Sequence, residues 1–139
     1  MRPADILRWR NALALTQAQV AAACGRERNW VYKIENGDTP IPRWFNYLCA
    51  WTRLYGLHVP FSPEETAAKM REFRKRWGIT QEDLGNLLGL SRDVIIAAEK
   101  GRPRPMGVAF AIAWIDFYGS RLPFPTLLVP IPRCPHCGK

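Results

Sequence analysis

The chain has 139 residues, 20 Lys+Arg against 12 Asp+Glu for a formal net charge of +8, and is 47% hydrophobic and 12% aromatic with six Trp. That length permits one ordinary domain or two very small ones, and the apolar fraction excludes global disorder despite the charge. The positive surplus favours a polyanionic partner, either nucleic acid or an anionic membrane surface, and by itself does not choose between them.

The first fifteen residues contain Arg but no apolar h-region and carry Asp5, so they read as structure rather than leader. Pro3 suits a first helical turn, and Ile6, Leu7, Arg10 and Leu13 set an apolar stripe with basic edges. Thr16, with Gln19 three residues on, is expected to cap a second helix that buries Val20 and Ala23. Gly25 ends it in the left-handed turn that glycine enters cheaply. A third helix runs from about Glu27 to Asn36 and stops at Gly37; a Pro-rich loop follows, then a fourth helix ending in Trp51-x-x-x-Tyr55-Gly56.

The series then begins again. Ser62, Pro63 and Glu65 spell a capping box for the next helix, whose basic run from Lys69 to Arg76 is either a solvated face or a contact for phosphate or an anionic surface. Thr80 caps a helix burying Leu84, Leu87 and Leu88, Gly89 ends it, and a further helix from about Ser91 to Lys100 stops at Gly101. The last helix closes with Trp114-x-x-x-Tyr118-Gly119. The longest apolar stretch, Val108 to Ile115, is broken by Asp116 and is far short of the roughly 20 residues of a spanning helix. No strand and no membrane association are expected.

From Ser120 the chain reads SRLPFPTLLVPIPRCPHCGK, whose five prolines forbid a regular helix. Leu127, Leu128 and Val129 favour packing of this arm on its own domains or on a second subunit. Cys134 and Cys137 form a CxxC turn that aims two thiolates at one metal, but a structural zinc takes four ligands. Completion draws on Cys24, Cys49, His58 or the tail of a second chain; a redox dithiol and an inert end stay open as alternatives. No other cofactor is expected. Four cysteines at these spacings do not make a disulfide scaffold, which points to a reducing cytoplasm.

Sliding the chain by 64 residues lays 10–37 on 74–101. Thr16-Gln17 meets Thr80-Gln81, Gly25 meets Gly89, Arg28 meets Arg92, and Glu35-x-Gly37 meets Glu99-x-Gly101. After a one-residue gap the match continues at a shift of 63: Ala50-Trp51 on Ala113-Trp114, Tyr55-Gly56 on Tyr118-Gly119, Pro60-Phe61 on Pro123-Phe124. The order of these identities reads as a tandem duplication, with domains at 1–60 and 61–121 and a tail at 122–139. Trp51, Tyr55, Trp114 and Tyr118 recur at equivalent positions and are expected to be core, stapling each unit.

Two helices joined by a short glycine-containing turn are the helix-turn-helix unit. The pattern Thr-Gln-x-x-(Val/Leu)…Gly-x-x-Arg-x-x-(Val/Ile)-x-x-x-Glu-x-Gly closely resembles the phage-repressor helix-turn-helix family of Cro and Xre-like proteins. The resemblance covers both copies and is most complete in copy 2, GITQEDLGNLLGLSRDVIIAAEKG. Copy 1 departs from the family pattern at Cys24, Arg26, Glu27 and Trp30, residues that bear on the packing of its third helix. The resemblance implies an all-α fold of two lambda-repressor-like domains, each of four to five helices, from a phage or mobile element. It also implies that the third helix lies in the major groove while the start of the second grips phosphate.

Carried over residue by residue, Gln17 and Gln81 stand at helix N-termini where free N–H groups favour phosphate. Arg28 and Arg92 open the third helices, where a guanidinium can pair bidentately with guanine; Asn29 suits adenine or phosphate. Arg26, Trp30, Tyr32 and Lys33 complete the copy 1 set; for Trp30, DNA contact, interdomain packing and core are equally open. Lys100, Arg102 and Arg104 extend the copy 2 set. At the outward third-helix positions copy 1 shows Arg28, Asn29, Tyr32 and Lys33, whereas copy 2 shows Arg92, Asp93, Ile96 and Ala97. Copy 1 is therefore expected to be the principal reader, and copy 2 a weaker reader or a self-association surface.

The reading is a cytoplasmic, sequence-specific, double-stranded-DNA-binding regulator, most simply a repressor occupying an operator. It acts either as a covalent pseudo-dimer on two half-sites or as half of a homodimer joined through domain 2 or the C-terminal arm. No catalytic constellation is present, so an enzyme is not expected. The alternative is a protein-interaction module, an antitoxin or adaptor; structured RNA is a third option.

Overall fold

The structure, a computed structural model, describes residues 1–102 and 106–119. Arg104, Cys134, Cys137 and the arm at 122–139 lie outside the described residues. The described chain is all-helical: α1 (Pro3–Ala12), α2 (Gln17–Cys24), α3 (Arg28–Asn36), α4 (Arg43–Tyr55), α5 (Pro63–Trp77), α6 (Gln81–Leu88), α7 (Arg92–Glu99) and α8 (Val108–Tyr118). No strand occurs among the described residues, and no helix there is long and apolar enough to cross a membrane.

Local chemistry sets the boundaries. Thr16 accepts from the Gln19 backbone N–H while the Gln19 side chain accepts from Thr16 N, a reciprocal capping box. Thr80 and Asp83 do the same for α6, and Ser62 and Glu65 for α5. Gly25 and Gly89 leave α2 and α6 with φ of +66° and +72°, the left-handed conformation that costs a residue with a Cβ about 1–2 kcal/mol. The loop before each capped helix also passes through this region, at Ala14 (φ +54°) in the first half and Gly78 (φ +64°) in the second.

The core is one continuous apolar cluster drawing on both halves. On α1 it takes Ile6 and Trp9; Leu7, expected in the stripe, is 43% exposed, because the helical period carries the buried face through 6, 9 and 13. Trp9 packs edge-on to Phe45 at 5.6 Å, and its indole N–H donates to Thr52 Oγ1 at 3.0 Å, so the largest side chain of α1 is buried without an orphaned donor. Val20 is buried as expected on α2, together with Cys24, while Ala23 is only half-buried. The apolar run of α8 buries every residue from Val108 to Ala113, which makes it the central helix of the fold.

α8 packs chiefly on α4, and this seam joins the halves. Trp44 lies over Gly107 so closely that a Cβ there would collide with the indole. At the other end the Tyr55 and Tyr118 hydroxyls meet at 2.5 Å, and Trp51 packs on Phe117 at 5.6 Å. The first contact is at the N-terminal ends of both helices and the second at the C-terminal ends, so α4 and α8 run side by side in the same direction. Within each unit the recurring Trp packs on its Tyr, Trp51 on Tyr55 at 4.3 Å and Trp114 on Tyr118 at 4.2 Å, and the two tyrosines then meet across the seam. Trp51 is fully packed, while Tyr55, Trp114 and Tyr118 are half-buried.

Two thiols sit inside this core. Burial pushes Cys24 up to about 12 and holds Cys49 well above the ordinary thiol value. An unfolded thiol ionises near pH 9, whereas the folded ones stay protonated, so the folded chain binds more protons between about pH 9 and 12. The thiols' contribution to stability is fully present below about pH 9 and is lost as pH rises above it, by up to about 1.4 kcal/mol per pH unit per thiol. Urea melts between pH 7 and 10.5 check this: the decline is expected to be shallower in Cys24→Ala, and an unchanged slope in that variant would contradict the assignment.

Candidate nucleic-acid interface

The site is built by α2, the Gly25 turn and α3. Val31 and Ile34 are fully buried and fix which face of α3 turns inward. The opposite face presents Arg28, Asn29, Tyr32 and Lys33, all exposed, Tyr32 by 51%. Gln17, the first residue of α2, stands beside this face: one cleft is lined by Gln17, Arg28, Asn29 and Tyr32, and an adjoining one by Arg10, Leu15, Thr16, Gln17, Ala18 and Arg28. Among the described residues none of Gln17, Arg28, Asn29, Tyr32 or Lys33 has a side-chain hydrogen bond or ion pair. Three donors, Gln17, Arg28 and Asn29, and the Tyr32 phenol thus converge on a concave surface with their bonding capacity free, and Lys33 stands on the same exposed face of α3 outside it.

The two other copy 1 candidates are placed differently. Trp30 stacks on Trp44 at 5.7 Å and 10°, meets Phe45 edge-on, and carries the Arg26 guanidinium 4.9 Å from its ring centre. Of the roles open for Trp30, the structure gives it packing against the start of α4. Arg26 is exposed but lies over that ring and lines neither cleft.

The second unit has the same framework and a different surface. Arg92, Lys100 and Arg102 are exposed, but Gln81 donates to Glu99 Oε1 at 3.3 Å. Ile96 and Ala97 are half-buried. The α6 N-terminus carries Glu82 and Asp83 in its first turn, whereas the first turn of α2 has no acid. The basic run of α5 is largely consumed internally. Arg74 binds Glu99, Arg71 donates to the Glu99 carbonyl, Arg76 pairs with Glu72, and Lys69 reaches Asp116 at 3.5 Å.

What holds α3 in place was not singled out as a site in the sequence. Arg10 forks onto Glu35, Nε to Oε2 at 3.0 Å and Nη2 to Oε1 at 2.9 Å, while its Nη1 donates to the Leu15 carbonyl at 3.0 Å. The counterpart Arg74 forks onto Glu99 at 2.6 and 2.8 Å, and the arginine's pKa is raised chiefly by that hydrogen bond. The signal was present in the repeat: Arg10 and Arg74 open the aligned segments and Glu35 and Glu99 recur near their ends.

Residues 7–60, the span containing this site, match the family described as a helix-turn-helix domain. The match falls on the first unit, although the sequence pattern is the more complete in the second. The chain is 44% identical over 55 residues to an uncharacterized HTH-type transcriptional regulator of Methanocaldococcus jannaschii, covering 39% of this chain and 80% of that protein. It is 41% identical over 46 residues to another of Archaeoglobus fulgidus, covering 32% of this chain and 66% of the relative. A third, of Methanothermobacter thermautotrophicus, is 53% identical over 36 residues, covering 26% of this chain and 52% of the relative. No solved structure matches the chain significantly.

The Arg10–Glu35 fork is nearly enclosed, with side-chain exposures of 16% and 7%. Truncating one partner strands the other, at a cost of about 3 kcal/mol. Glu35→Ala is expected to lower the urea-derived stability by about that amount, whereas Glu72→Ala, which breaks an exposed i,i+4 pair, costs below about 1 kcal/mol. Equal losses in the two variants would show that the fork is not what fixes α3.

Proposed function

The chain belongs to the helix-turn-helix family, and on that premise we propose that it is a sequence-specific, double-stranded-DNA-binding transcriptional regulator, a repressor that occupies an operator. The observation that carries the reading is the concave group formed by Gln17, Arg28, Asn29 and Tyr32 with its polar atoms free. α3 enters the major groove with Arg28 reading guanine O6 and N7 and Asn29 reading adenine or a neighbouring phosphate. Tyr32 and Lys33, one turn along, meet the backbone flank. The acid-free N-terminus of α2 takes a phosphate on its open N–H groups, with the Gln17 amide beside it. The net charge of +8 supplies the sequence-independent attraction.

The second unit is read as the product of a tandem duplication. The aligned identities, the shared left-handed positions and the paired Arg–Glu forks support this. It has kept the frame of a reader and changed the surface.

Selection from a randomised duplex pool tests the function. An enriched motif is expected; Arg28→Ala relaxes it at one position and weakens specific binding by about 1–3 kcal/mol. Lys33→Ala weakens all sequences alike and lowers the salt slope by about one. A pool without enrichment at moderate salt overturns the regulator reading in favour of a protein-binding module.

A further inference from the structure

The seam between the halves has the contact pattern of a twofold axis. Under the repeat's own alignment Trp44 corresponds to Gly107 and Tyr55 to Tyr118, and each pair is in contact with itself across the seam. Two further contacts are reciprocal. A Cβ added at Gly25, in the turn before α3, would stand 2.9 Å from Met106 Cγ, and one at Gly89, in the turn before α7, 2.9 Å from Arg43 N. Gly25 corresponds to Gly89 and Arg43 to Met106, so residue i touches j and the equivalent of j touches the equivalent of i, as in an isologous dimer. Because α4 and α8 run in the same direction, this axis lies along them. Both reading turns abut the N-terminal end of the pair, and the two units present their α2–α3 and α6–α7 surfaces at one end of the molecule.

Those two surfaces are unequal in charge and in freedom. The first has a neutral capping box, no acid in the first turn of α2, a free Gln17 and two cations on α3. The second has a charged capping box through Asp83, Glu82 next to it, and Gln81 drawn onto Glu99. On α7, Asp93 offsets Arg92. Acids at a helix N-terminus stabilise the helix by satisfying its dipole, and they also repel the phosphate that would otherwise bind there. At α6 the second unit has used for its own stability the positive end that the first leaves open at α2, although α3 itself has Glu27 as N-cap where α7 has Ser91.

We infer that one chain is a built-in pseudo-dimer with one reading head and one blind head, so that it specifies a single, non-palindromic half-site while α5–α8 serve as the partner that completes the α4 seam. The inference rests on the DNA reading proposed above and deepens it by assigning the shape of the site.

The test uses the full chain and the duplex that it selects from a random pool. Wild type is expected to bind one chain per duplex by sedimentation, to enrich a motif without dyad symmetry, and to protect from hydroxyl radicals only the sugar backbone that flanks one major-groove segment. Arg92→Ala is expected to change affinity by less than twofold, against tenfold or more for Arg28→Ala. Neutralising the blind head with Glu82→Gln, Asp83→Asn and Asp93→Asn is expected to tighten binding at least tenfold, steepen the salt dependence, and add protection about one helical turn away. Asn at 83 keeps an acceptor for the cap, and a thermal melt confirms folding. A palindromic motif, two chains per duplex, a loss in Arg92→Ala matching that in Arg28→Ala, or no gain in the triple variant overturns the single-head inference while leaving DNA binding intact. Absence of DNA binding in every variant overturns the regulator reading itself, and this inference with it.

Discussion

The Arg10–Glu35 fork is the interaction on which the geometry of the α2–α3 surface depends. α2 and α3 have eight and nine residues, too short to be stable helices alone, so their placement comes from tertiary contacts. Val31 and Ile34 turn the correct face of α3 inward, but apolar contact is non-directional and tolerates rotation and sliding. A planar guanidinium bonded to both oxygens of one carboxylate does not. By also donating to the Leu15 carbonyl, Arg10 ties α1, the loop into α2, and α3 through a single side chain. Arg74 and Glu99 repeat the arrangement, with Gln81 and Arg71 added to the same acceptor residue.

The seam of α4 and α8 acts at the next level. It merges what would be two marginal cores into one, and it uses the bulkiest residues of the chain to do so: Trp44, Phe45, Tyr47 and Phe110 are all essentially excluded from solvent. Small and large residues alternate across it, with Gly107 beneath Trp44 giving the close approach that lets two parallel helices share their apolar faces. The stacked Trp30 extends this aromatic group to α3, so the orientation of that helix is tied to the seam as well as to the fork.

Much of this was legible in the sequence because it is local. Capping boxes at Thr16, Ser62 and Thr80 and the left-handed glycines at 25 and 89 are decided within four or five residues, and the helices begin and end where those signals stand. The outward residues of α3 followed from the helical period once Val31 and Ile34 were taken as core. What was not legible depends on partners distant in sequence. Trp30 has the same local pattern whether it faces a base or Trp44, and only the position of α4 decides. The Trp-on-Tyr packing within each unit is local and readable from the i, i+4 spacing, whereas the meeting of Tyr55 with Tyr118 is not, because a period records that two residues are equivalent and not that they touch. Leu7 shows the limit of reading a stripe by eye, where Trp9, two residues on, carries the buried face. Gln17 and Gln81 are identical in alignment and differ in their partners, since Gln81 donates to Glu99 whereas Gln17 has no such bond to Glu35.

The two hydroxyls that meet at the far end of the seam close an interface within a single polypeptide, and that changes how the molecule responds to its own abundance. Subunits held by mass action come apart on dilution, so a regulator assembled from them gains its active form with the square of its concentration. Halves joined by a short linker face each other at an effective concentration that the cell cannot alter. On the single-head reading inferred above, their mutual packing is complete from the first molecule synthesised, and occupancy of a target then rises with the first power of copy number, where a dissociable pair gives a threshold.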